Sequence, residues 1–110
     1  MRSTDLEFEV FKRFCQLGDL MLPTRGDMVV RKRSRSDAGF FTEFKLAAGC
    51  ADRCRVAEGT YNGIPNARVL EGVEIVGFLL FVDSDMTFTL EGHVYGEKWP
   101  AVEFPIEFLG

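Results

Sequence analysis

The chain has 110 residues, 46% of them hydrophobic with eleven Phe, and a formal net charge of −4. That is the size of a single domain, residues 1–110, with apolar mass enough for a core that needs neither disulfide nor metal. The longest unbroken apolar run, residues 78–82, falls far short of the roughly 20 residues that cross a bilayer as a helix.

The start, MRSTDLEFEV, lacks the apolar centre of a signal peptide, so the expected compartment is the cytoplasm and no membrane is expected as a partner. Thr4-Asp5-Leu6-Glu7 fits a capping box, in which a hydroxyl and a carboxylate satisfy free amides at a helix start. Leu6, Val10, Phe14 and Leu17 recur at helical spacing, joined by Phe11 and Cys15, and Gly18 is a natural stop. Residues 28–32 and 40–46 follow as strands joined across 34–39. The basic run Arg31-Lys32-Arg33-Ser34-Arg35 lies there. Clustered cations suit phosphate, but the chain is acidic overall and a strand splits the run between two faces. A charged edge strand that resists edge pairing explains it better, and nucleic acid is not an expected partner. Residues 47–65 are glycine-rich, with a short strand expected around Arg55 and Val56. Residues 66–70 form a further strand before a turn at Glu71-Gly72.

Residues 75–82 are apolar in both registers. Ile75, Gly77, Leu79 and Phe81 fall on one face and Val76, Phe78, Leu80 and Val82 on the other, so a central strand covered on both sides is expected. Asp83-Ser84-Asp85 supplies a turn. Met86, Phe88, Leu90, Gly92 and Val94 then alternate with Thr87, Thr89, Glu91, His93 and Tyr95, giving one core face and one polar face. Pro100 and Pro105 bracket a last strand with Val102, Phe104, Ile106 and Phe108 inward, placed at an edge because proline cannot donate to a ladder. The fold class is α+β: one N-terminal helix packed on a mainly antiparallel sheet of about five or six strands. One helix covers one face. The other is closed either by residues 47–65, inserting Val56, Tyr61 and Ile64, or by a second copy, and a homodimer is the expectation.

Chemistry is sparse. Cys50 and Cys54 are spaced C-x-x-x-C, and with Cys15 and His93 they would make a tetrahedral zinc site if they converged. Tighter knuckles are usual, and Cys15 lies on an apolar helix face, so reduced cysteines without metal or cofactor are expected. The sole histidine, His93, shares a polar strand face with Glu91. No P-loop, G-x-G-x-x-G or G-x-S-x-G occurs, and no catalytic residue is assigned. Charge is segregated. Up to Ser36 eight Lys/Arg stand against five Asp/Glu, whereas from Glu71 onward eight Asp/Glu stand against Lys98 alone. An acidic C-terminal surface could dock a basic protein, with Asp83, Asp85, Glu91, Tyr95, Glu97 and Trp99 as contacts, aromatic anchors inside a charged rim.

Gly39-Phe40-Phe41-Thr42, Gly77-Phe78-Leu79-Leu80-Phe81-Val82, and Leu90-Glu91-Gly92 with Tyr95-Gly96-Glu97 and Trp99-Pro100 carry a resemblance over about the last seventy residues. The chain resembles a class of small stand-alone bacterial proteins with a GFFT strand and an LEGxxYGExWP ending. Such endings are also similar to those of some immunity proteins that neutralise secreted bacterial toxins. The Asp83-Ser84-Asp85 turn departs from the Asp-Gly or Asn-Gly turn expected there. The resemblance implies a non-enzymatic, immunity-type binding protein and assigns no residue a role. The alternative is a small-molecule-binding or enzymatic domain with a Phe-lined pocket between helix and sheet, its polar groups converging near His93 and Glu91.

Overall fold

In the computed structural model, which describes residues 3–18, 22–53, 56–70 and 74–110, the first helix, α1, spans Asp5–Leu17. Its start is closed reciprocally. The Glu7 amide donates to Thr4 Oγ1 at 3.1 Å and the Thr4 amide donates to Glu7 Oε1 at 2.7 Å. Gly18 ends it, its amide donating to the Phe14 carbonyl at 3.1 Å. One stripe, Leu6, Val10, Phe11, Phe14 and Cys15, is buried against the sheet.

The sheet is antiparallel throughout and has seven strands among the described residues: β1 (Met28–Ser36), β2 (Gly39–Leu46), β3 (Gly59–Tyr61), β4 (Ala67–Val69), β5 (Ile75–Val82), β6 (Phe88–Val94) and β7 (Ile106–Phe108). Their order is β1-β2-β6-β5-β4-β7, with β3 and β4 sharing the outer edge of β5. A short helix, α2 (Ala48–Arg53), follows β2. The α+β expectation is borne out. Alternation along β6 holds as well, with Phe88, Leu90 and Gly92 buried and Thr89, Glu91 and His93 on the other face. The basic run does lie on an edge strand. Proline-flanked β7 forms the opposite edge.

The core is aromatic. Phe44 and Phe88 stack at 5.2 Å between ring centroids, and Phe11 meets them edge-on at 4.9 and 5.4 Å. A second feature ties α1 to the sheet. Glu7 is fully buried, and its carboxylate accepts from Arg33 Nε at 2.8 Å, Arg33 Nη2 at 2.7 Å and Thr42 Oγ1 at 2.5 Å. A bulge in β1 makes this possible. Val30 opposes Phe44 but Lys32 opposes Glu43, so Arg31 is the extra residue. Beyond it, Arg33 and Arg35 turn toward the helix side, and Lys32 and Ser34 turn away.

Several expectations need correction. The β1–β2 turn is only Asp37-Ala38, because the arginine-rich stretch stays paired with β2 to Ser36. Val56 is not in a strand and Arg55 lies outside the described residues, as does the turn at Glu71-Gly72; the strand in that region is β3. Val102 and Phe104 are exposed, since β7 begins only at Ile106. The largest correction concerns β5. It is central within the sheet, yet only its Val76, Phe78, Leu80 and Val82 face is covered, while Ile75, Leu79 and Phe81 are half-buried. Val56, Tyr61 and Ile64 do not close that second face. Val56 and Tyr61 pack beside Phe11, Phe14 and Leu80 on the helix side, and Ile64 joins the same core.

The meeting of β2 and β6 is tight at Gly39. Its φ is +152°, and a Cβ there would lie 1.9 Å from the Gly92 carbonyl oxygen, a backbone atom that cannot swing aside. Gly39→Ala should therefore cost on the order of 2–3 kcal/mol in urea unfolding. Gly63→Ala, where an added Cβ meets nothing within 4 Å, should cost under about 1 kcal/mol. Equal shifts at the two sites would show that the close approach is absent in solution.

Candidate functional site

Three of the sequence motifs lie side by side in the sheet. Gly39-Phe40-Phe41-Thr42 on β2 pairs with His93, Gly92, Glu91 and Leu90 on β6, and these in turn pair with Gly77, Phe78, Leu79 and Leu80 on β5. Strand alternation sorts them into two sets. The inward set is structural. The Phe40 ring covers Gly92, where a Cβ would sit 2.3 Å from a ring carbon, and Trp99 meets Phe40 edge-on at 5.3 Å. The outward set forms the row Phe41–Glu91–Leu79, flanked by Glu43–Thr89–Phe81 on one side and Gly39–His93–Gly77 on the other.

Among the described residues this outward face carries no layer of protein. Phe41 is 48% exposed at its centre. Next to it a shallow depression of about 260 Å³ opens between Lys32, Ser34, Phe41, Glu43 and Thr89. His93 lies over Gly77, with Nε2 3.1 Å from the Tyr95 hydroxyl and the two rings edge-on. Neither Glu43 nor Glu91 forms an ion pair among the described residues.

The six contacts expected from the sequence do not share one surface. Glu91 stands mid-face, and exposed Tyr95 and Glu97 lie at and beyond the far end of β6. Asp83 and Asp85 sit in the turn at its other end, about 20 Å away by strand rise. Hydrogen bonds from the side chain and amide of Thr87, helped by Lys45 at 3.6 Å, hold the Asp85 carboxyl below its usual range. Trp99 is not an exposed anchor. It is 8% exposed on the helix side, its ring against Phe40 and its indole donating to Glu103 Oε2 at 2.6 Å.

Glu103 in turn clamps Arg35 with both oxygens, and Glu107 pairs with Arg68 at 3.5 Å. The segregation of charge along the sequence is thus partly cancelled in space, because the folded sheet brings basic and acidic segments together. Sequence reasoning missed Phe41, Glu43, Leu79 and Phe81 as a group. The available signal was a strand apolar in both registers beside a single helix.

Other arrangements are less suited to chemistry. The cavity between α1 and the sheet, lined by Phe11, Phe14, Cys15, Gly18, Val56, Tyr61 and Leu80, holds about 50 Å³. His93 and Glu91 are on the opposite face of the sheet from it, so no polar group of that pair enters. Cys15 and His93 are likewise separated by the sheet, Cys50 is buried on α2, and Cys54 lies outside the described residues. Among the described residues no group of three or more His, Cys, Asp or Glu is placed to hold a metal ion. No helix among them is long and apolar enough to cross a membrane. No family model, curated protein or solved structure matches the chain.

Proposed function

We propose that this chain is a non-enzymatic, cytoplasmic binding protein of immunity type that docks a basic protein partner on the uncovered face of its sheet. The observation that carries the reading is the row Phe41–Glu91–Leu79. The same three motifs that bury Phe40, Leu90 and Phe78 hold an aromatic, a carboxylate and an aliphatic side chain outward in register. Packing explains the inward residues and leaves the outward ones unexplained. An exposed aromatic within an apolar patch and beside carboxylates has the make-up of an interface centre. Tyr95, its hydroxyl 3.1 Å from His93 Nε2, extends this face at one end, and Asp83 and Asp85 lie in the turn beyond its other end. The enzymatic alternative draws little support, since ligand pockets are commonly about 300–1,000 Å³ and the apolar cavity is far smaller.

The test is co-expression with the products of the adjacent genes. A complex of fixed stoichiometry that survives size exclusion in moderate salt, and that Phe41→Asp abolishes, is the expected result. Failure of the wild-type chain to retain either neighbour's product would overturn the reading.

A second copy is the competing occupant, favoured by the finding that Val56, Tyr61 and Ile64 pack on the helix side. Light scattering separates the two. Monomer at 12.4 kDa keeps the face for a partner. Twice that mass, collapsing to monomer in Phe41→Asp, would give the face to a homodimer.

A further inference from the structure

Glu91 stands mid-face on the uncovered side and forms no ion pair among the described residues. Lys45 is held by Asp85 at 3.6 Å, Arg68 by Glu107 at 3.5 Å, and Lys32 is the cross-strand neighbour of Glu43. Glu91 has Phe41 on one side and Leu79 on the other, and its diagonal neighbour on β2 is a second carboxylate, Glu43. Diagonal positions on paired strands lie roughly 7–8 Å apart, and Glu43 already has Lys32 across from it, whereas Glu91 has only Phe41 and Leu79 as cross-strand neighbours. A cation brought to Glu91 meets a carboxylate in a partly apolar setting, where opposite charges attract more strongly than in bulk water.

We infer that Phe41, Glu91 and Leu79 form a socket for an arginine side chain of the protein partner. The chemistry selects arginine over lysine. A planar guanidinium can stack on the Phe41 ring while meeting the Glu91 carboxylate through two parallel donors, and its methylene stem lies along Leu79. Burial by the partner then strengthens the charge pair, because water is excluded around it.

The inference rests on the partner-binding reading but is tested without the partner. The isotope-labelled intact protein is titrated with a capped leucyl-arginyl-leucine amide and, separately, with the same tripeptide carrying citrulline, which keeps the shape and removes the charge. The expected result is that backbone signals of Phe41, Glu91 and Leu79 shift together with the arginine peptide. Citrulline should bind about tenfold more weakly, and Glu91→Gln should abolish that preference.

Shifts centred on the Asp83–Asp85 turn or on Glu97 instead, or an arginine preference that survives Glu91→Gln, would overturn it. So would self-association that quenches the titration and is relieved by Phe41→Asp, since the face would then belong to a second copy. A failed complex with the adjacent gene products would overturn the wider reading and leave the socket measurable.

Discussion

Phe44→Ala should lower the unfolding free energy by about 3–5 kcal/mol, against a total of roughly 5–15 kcal/mol for a domain of this kind. Phe44 has no exposed surface; it stacks on Phe88 and receives the edge of Phe11, so no neighbour can collapse into the gap without losing its own contacts. Phe81→Ala is the matched control. It deletes the same side chain from the uncovered face, where the ring is half-buried, and should cost about 1–2 kcal/mol. Urea unfolding of both variants at one protein concentration measures the difference. Equal losses would mean that the second face of the sheet is covered in solution. A concentration dependence of the Phe81→Ala loss would then identify a second chain as the cover.

That contrast marks where the sequence is informative and where it is not. Alternation in β6 and the capping box of α1 are local patterns with one geometric solution each, so both are legible in the residues alone. The edge position of the basic strand is legible too, because four cations within five residues are costly to bury. β5 is not. Apolar residues in both registers show that a strand is central, but a strand can be central in the plane of a sheet without being the middle of three layers. Leu79 and Phe81 are half-covered by their own in-plane neighbours, and that does not require another layer.

The candidate site is hard to read in the sequence for a related reason. Trp99 follows an acidic, glycine-containing stretch and reads as a surface aromatic. Its environment is decided by Phe40 and Glu103, and its backbone is tied to Asp37, 62 positions away in the chain, through an amide hydrogen bond of 2.7 Å. Charge behaves likewise. Glu103, Asp85 and Glu107 count toward the acidic C-terminal half in one dimension and are paired with Arg35, Lys45 and Arg68 in three. What stays visible is the right kind of residue, Glu91, without its neighbours. Phe41 is hidden in a GFFT motif whose inward members account for the folding role.

Arg33→Met should be as damaging as the loss of Phe44, about 3–5 kcal/mol at neutral pH, because it strands the Glu7 carboxylate in the core. In the intact protein, burial alone would push the Glu7 carboxyl up. Hydrogen bonds from Arg33, Thr42 and the Thr4 amide outweigh burial and hold it below its ordinary value. A carboxyl lowered in the folded state adds stability above its unfolded pKa. That contribution disappears as pH falls from the ordinary glutamate range through the lower folded value. Without Arg33, only Thr42 and the Thr4 amide oppose burial, and the expected direction of the shift is upward. The variant should then lose stability as pH rises through the raised folded value, and be relatively better off in mild acid. Glu7→Gln/Arg33→Met removes both charges and should recover much of the loss, as expected for coupled partners. Urea midpoints from pH 3 to 7, with the double variant as background for the other carboxylates, measure the change of slope. A cost under about 1 kcal/mol for Arg33→Met, with the wild-type pH slope retained, would mean that the pair is solvated rather than buried between α1 and the bulged strand.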